Sequence, residues 1–107
     1  MDKSNQAFTS GIWIVKQGKE KEFIKEWKEF AEWSRKIDNA PAHLLQDTEN
    51  PARFVSVGKW NSMDAIQKWA KTTEFKDAMS RISNLLEEPS KPHVMKEVVK
   101  VGEFEVV

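Results

Sequence analysis

Apolar residues change their spacing along this chain, and each change marks an element. From Ala7 to Lys16, AFTSGIWIVK, β-branched and aromatic residues crowd together between Ile12 and Val15, the composition of a strand. Strand alternation puts Ile12 and Ile14 on one face and Trp13 and Val15 on the other, so both faces are apolar. Gln17-Gly18 breaks the run. From Lys19 the period lengthens: Phe23, Trp27, Phe30, Ala31, Ser34 and Ile37 share one helical stripe, flanked by Ile24 and Trp33, while Lys25, Lys28, Glu29, Glu32, Arg35 and Lys36 form a solvated opposite face. Asp38-Asn39-Ala40-Pro41 ends that helix, because the residue before a proline is pushed out of the α region and Pro41 cannot continue the ladder.

Two further strands are expected around a polar turn, His43 to Asp47 and Arg53 to Trp60. Phe54 and Trp60 fall on one face of the second, and Val55 and Val57 on the other, as in an antiparallel hairpin. Asn61 or Ser62 is placed to cap a short helix, Met63 to Ala70, with Asp64 in its first turn. A second cap at Thr72-Thr73-Glu74 restarts the pattern through Phe75, Ala78, Met79, Ile82, Leu85 and Leu86, with Pro89 just beyond. His93 to Val107 reads as one long strand whose apolar parity slips: Val99 and Val101 share a face, Phe104 and Val106 the other. A slip beside Gly102 predicts a β-bulge there.

The order β-α-β-β-α-β predicts an α+β, ferredoxin-like fold: a four-stranded antiparallel sheet with the second helix split in two. No repeat, low-complexity tract or linker interrupts it, and residues 1–107 are expected to form a single domain. The helices can cover only one face of such a sheet. With the first and third strands apolar on both sides, the uncovered face calls for a cover, and a second copy of the chain related by a two-fold axis supplies one. A homodimer through the sheet face is therefore expected.

Composition narrows the function classes. The 17 Lys+Arg balance 17 Asp+Glu, so no net field attracts nucleic acid or an anionic membrane. Without cysteine there is no disulfide, thiolate metal site or Cys nucleophile, which fits a reducing cytoplasm. The N-terminus has no apolar run of signal-peptide length, and no uncharged stretch is long enough to span a bilayer; a soluble, cytoplasmic protein is expected. Five Trp and six Phe give a few large rings to fill a small core.

Residues that usually carry chemistry are few. His43 and His93 begin strands after prolines, where exposure explains them, and with no carboxylate at ligand spacing they make no metal site. Turn formation explains Asp47, Glu49 and Asn50. Trp13, Trp27, Trp33 and Trp60 each have a packing role. No nucleophile elbow, zinc-protease helix or phosphate-cradling glycine loop is present.

Three segments, GKEKEFIKEW (Gly18 to Trp27), NPARFVSVGKWNSMDAIQKW (Asn50 to Trp69) and TEFKDAM (Thr73 to Met79), together resemble the antibiotic biosynthesis monooxygenase domain of the dimeric α/β-barrel superfamily. The resemblance implies a homodimer and a pocket between sheet and helices. Trp69, Phe75, Met79, Trp13 and Phe23 are the substrate-binding positions expected on this resemblance, with Trp69 either stacking on a planar ring or filling the core. Relatives that degrade haem have an Asn in the first strand, a Trp ending the second helix and a His beyond it; the corresponding positions here are Gly11, Trp69 and Met79, so haem turnover is not expected. Relatives that oxygenate polyketide aromatics without a cofactor have an Asn one turn before the Trp and a Tyr after it, where this chain has Ala65 and Phe75. Two functions stay open: a cofactor-independent monooxygenase acting on a small aromatic or hydrophobic substrate, with no metal, or a non-catalytic protein of the same fold that holds a small apolar ligand or haem.

Overall fold

The computed structural model describes residues 7–102. Its elements are β1 (Ala7–Ile14), α1 (Glu20–Asp38), β2 (Ala42–Gln46), β3 (Arg53–Trp60), α2 (Met63–Ala70), α3 (Thr73–Ser83) and β4 (His93–Lys96). The strands form one antiparallel sheet in the order β2-β3-β1-β4. This is the four-stranded ferredoxin-like α+β arrangement that the sequence pattern predicts, with the second helix divided at Lys71-Thr72.

Local chemistry sets the boundaries. Asn39, in the left-handed region at φ 50°, stops α1 and donates its N–H to the Arg35 carbonyl at 2.6 Å. The stop thus comes two residues before Pro41, because a short polar side chain accepts this conformation at little cost. Asp38 then fastens the end of α1 to the end of β3: its Oδ2 accepts the Asn61 N–H at 2.7 Å. Ser62 and Thr72 cap α2 and α3, accepting from the N–H of Ala65 and Phe75, each at 3.1 Å. Caps of this kind are worth about 1 kcal/mol. The Thr72 hydroxyl also donates to the Trp69 carbonyl at 2.8 Å, so one side chain closes α2 and opens α3.

The core lies between the helices and one face of the sheet, and Trp13, Val15, Phe23, Phe54 and Ile82 are wholly buried there. Phe23 reaches down from α1 between Trp13 and Phe54, ring centroids 5.9 and 4.9 Å away. The other face carries Ile12, Leu45, Val57 and Met95, which are 53%, 56%, 38% and 50% exposed. Both faces of β1 and β3 are apolar, and the helices cover one of them.

Three expectations change. The last strand ends at Lys96, not at Val107: residues 97–102 lie outside the ladders of the sheet, and Val98, Val99 and Val101 stand 80%, 73% and 91% exposed. Apolar spacing alone extends the strand, but a strand also needs a partner ladder, and among the described residues β1 pairs with 93–96. The expected bulge involves residues 103–107, which lie outside the described residues. The helical pattern also overran, since α3 stops at Ser83. Leu85 and Leu86 remain buried because their segment pairs with the end of β1, Lys16 N–H to Leu85 O and Glu87 N–H to Ile14 O, both at 2.8 Å. The third correction is that the chain does contain a short repeat, and the cavity is built on it. No helix among the described residues is long and apolar enough to cross a membrane.

Candidate functional site

A cavity of about 40 Å³ lies between the core face of the sheet and the C-terminal half of α1. Thr9, Trp13, Ser56, Gly58 and Trp60 line it from the sheet, and Phe30, Ser34 and Trp69 from the helices. Exposed Pro41 and Ala42, with half-buried Trp27, Ala31 and Pro92, mark its open side.

The sheet side is made twice from one short pattern. Thr9-Ser-Gly11-Ile-Trp13 in β1 and Ser56-Val-Gly58-Lys-Trp60 in β3 are the same hydroxyl-x-Gly-x-Trp unit. The antiparallel register sets Gly11 opposite Ser56 and Thr9 opposite Gly58. Each indole lies back across the glycine of its own strand and gives its N–H to the hydroxyl opposite: Trp13 Nε1 to Ser56 Oγ at 2.9 Å, Trp60 Nε1 to Thr9 Oγ1 at 3.1 Å. Glycine is required for this close approach. A Cβ on Gly11 would stand 2.7 Å from Cζ2 of Trp13, and one on Gly58 2.8 Å from Thr9 Oγ1 and 3.4 Å from Trp60 Nε1.

On the helix side, Trp69 gives its N–H to Ser34 Oγ at 2.7 Å, and the Ser34 hydroxyl donates to the Phe30 carbonyl at 2.7 Å. Phe30, Trp60 and Phe75 pack around Trp69, with ring centroids 5.5, 4.7 and 4.7 Å away. Three buried indoles are therefore each satisfied by a hydroxyl, as burial of an N–H demands. Ser34 sits on the apolar stripe of α1 for this reason, although its type would place it in water.

Of the five expected binding positions, Trp13 and Trp69 line the cavity. Phe23 fills the core beside Trp13, Phe75 backs Trp69, and Met79 packs against the core from α3; none of the three reaches the cavity wall. The Trp13 indole covers Gly11, so an Asn there would collide with the ring. Among the described residues no cluster of His, Cys, Asp and Glu could hold a metal. Among the described residues that line the cavity, none ionises in the ordinary pH range. The clear pKa displacement lies elsewhere: N–H groups of Glu49 and Asn50, then nearby Arg53, hold the Asp47 carboxyl below its usual value in the β2–β3 turn.

Sequence reading missed Thr9, Ser34 and Ser56. The doubled hydroxyl-x-Gly-x-Trp unit was the available signal for two of them; the third pair, Ser34 with Trp69, joins two helices and has no local signature.

Fold and cavity together define a ferredoxin-like domain with an aromatic-walled pocket between sheet and helices. Among solved structures, the chain resembles a mutant form of the cofactor-independent oxygenase SnoaB from Streptomyces nogalater, at 15% identity and a TM-score of 0.83, over 92% of this chain and 99% of that one. A conserved protein from Methanosarcina mazei Go1 matches at 18% identity and a TM-score of 0.79, over 89% and 95% of the two chains. No curated protein sequence matches. The family model for antibiotic biosynthesis monooxygenase matches residues 12–81, and the chain belongs to that family.

Proposed function

We propose that this protein is a monooxygenase that oxidises a small aromatic or hydrophobic substrate at the mouth of the sheet–helix cavity, with no metal or organic cofactor. The observation that carries this reading is a cavity walled by Trp13, Trp60 and Trp69 within the segment that matches the monooxygenase family. Substrate pockets commonly enclose about 300–1,000 Å³, so a space of about 40 Å³ takes only the leading edge of a ring. The remainder lies across Trp27, Pro41 and Pro92.

With no ionisable group among the described residues of the wall, the substrate brings its own negative charge, as an electron-rich phenol does once it loses its proton to solvent. The phenolate passes one electron to dioxygen, and the two radicals join as a carbon-bound peroxide. Cleavage of the O–O bond with loss of the ring hydrogen leaves a carbonyl. One oxygen atom stays in the quinone product; the other departs as water with the two hydrogens the substrate gives up. The protein contributes position and exclusion of water rather than a base.

The same lack of a base favours a second reading, a non-catalytic holder of small apolar ligands. Oxygen uptake with chelator-treated protein and a panel of hydroxylated naphthalenes separates the two. Uptake above the buffer rate, with a single atom of labelled dioxygen in the product, is expected. Binding without uptake would leave the holder.

The reading includes a homodimer closed through the bare sheet face, a dimeric α/β barrel, which would bury Ile12, Leu45, Val57 and Met95. Nothing favours nucleic acid or a membrane as partner, and the absence of cysteine supports a cytoplasmic setting.

A further inference from the structure

We infer that Thr9 and Ser56 form a two-donor subsite for an acceptor oxygen, so that the ligand of this cavity carries a carbonyl or phenolate oxygen at the edge that enters first. This rests on the ligand-pocket reading of the same cavity. Both hydroxyls line the space and are only 8% and 6% exposed. Each accepts an indole N–H, from Trp60 and Trp13 respectively. A hydroxyl has one proton to give and two lone pairs to accept with; the indole takes one lone pair, and the proton is what each offers the cavity. Ser34 makes the contrast: it accepts from Trp69 and donates to the Phe30 carbonyl, so it has no proton left for a ligand.

The paired units put the two donors on diagonal neighbours of β1 and β3, on the cavity side of the sheet. Thr9 stands opposite Gly58 and Ser56 opposite Gly11, and at both glycines the missing side chain leaves room above the strands for the indole and the oxygen it meets. An oxygen that only accepts has two lone pairs to offer the two protons, whereas a hydrocarbon edge leaves them unpaired, at the cost that attaches to any buried unmade hydrogen bond. The subsite therefore selects ketones, quinones and phenolates over hydrocarbons of the same shape.

Calorimetric titration of the full chain with 1-tetralone, its oxygen-free counterpart tetralin, and 4-nitrophenol at a pH where it is ionised tests this. Thr9→Val and Ser56→Ala should each weaken 1-tetralone roughly fivefold, the size of one neutral hydrogen bond, and leave tetralin unchanged. Thr9→Ser, which keeps the hydroxyl, should retain wild-type affinity. A loss of tenfold or more for 4-nitrophenolate, larger than that for 1-tetralone, would identify the anionic oxygen as the natural occupant; a larger loss for 1-tetralone would identify the neutral carbonyl. Since each change also strips an indole of its acceptor, a purely structural role would weaken 1-tetralone and tetralin alike, and that result overturns the subsite. Unchanged 1-tetralone affinity in both variants overturns it as well. If wild type binds tetralin and the substitutions weaken 1-tetralone no more than tetralin, the subsite fails and the pocket stands; if wild type binds none of the three, both fail.

Discussion

At Gly11 one hydrogen atom decides how the cavity is built. The Trp13 ring is wholly buried and lies over that residue, so Gly11→Ala places a methyl 2.7 Å from Cζ2. The indole cannot swing away without leaving Ser56, nor slide without meeting Phe23. Overpacking of this kind typically costs about 1–3 kcal/mol, and the broken N–H bond adds to it. A clear fall in the urea midpoint, with a change in the near-ultraviolet circular dichroism of the tryptophans, is expected; an unchanged midpoint would mean that the ring is free to move. The same contact gives a physical reason why this chain has no Asn in its first strand. It also shows what the sequence could not tell about Trp69. Helical spacing marks it as buried and the family resemblance as a pocket wall; the indole is bonded to Ser34 and also lines the cavity.

At the scale of elements, the β2–β3 turn is the place where protonation should register. Asp47 Oδ1 accepts from the N–H of Glu49 at 2.8 Å and of Asn50 at 3.2 Å, and Oδ2 lies 3.4 Å from Arg53 Nη1. These contacts favour the carboxylate and hold its pKa below the ordinary value of 3.8. A folded pKa lower than the unfolded one contributes stability that is complete above the unfolded value and is lost as pH falls through the folded value. Urea midpoints followed from neutral pH into that acid range should fall less in Asp47→Asn than in wild type, and parallel profiles would count against the turn as a source of acid sensitivity. Asp47 was legible as a turn former because its type and place suffice. The end of the last strand was not, since alternation records what a strand requires of its side chains but not whether a neighbour exists to pair with its backbone. The end of α3 was obscured for a related reason: Leu85 and Leu86 keep the helical spacing of buried residues while belonging to a segment that pairs with β1.

For the whole molecule, the topology and the apolar second sheet face were readable because both follow from period and parity. Val57 stands on that face, 38% exposed and opposite Ser10. Equilibrium sedimentation at micromolar concentration should find a dimer for wild type and a shift toward monomer for Val57→Lys, with helix content retained; a wild-type monomer would remove the sheet-face dimer. The cavity was far less readable, because its three indole–hydroxyl bonds join residues 43, 51 and 35 positions apart. The two bonds between β1 and β3 bear on how the chain finds its pairing. Inside-outside alternation rejects a slip of one residue, which would turn every side chain over, yet it is blind to a slip of two. Displaced by two in either direction, Gly11 would face Phe54 or Gly58 in place of Ser56, and both tryptophan N–H groups would be buried without an acceptor. At about 1–3 kcal/mol for each orphaned donor, the doubled unit penalises the one misalignment that hydrophobicity would tolerate, so the tryptophans that wall the cavity also proofread the central strand pair of the sheet.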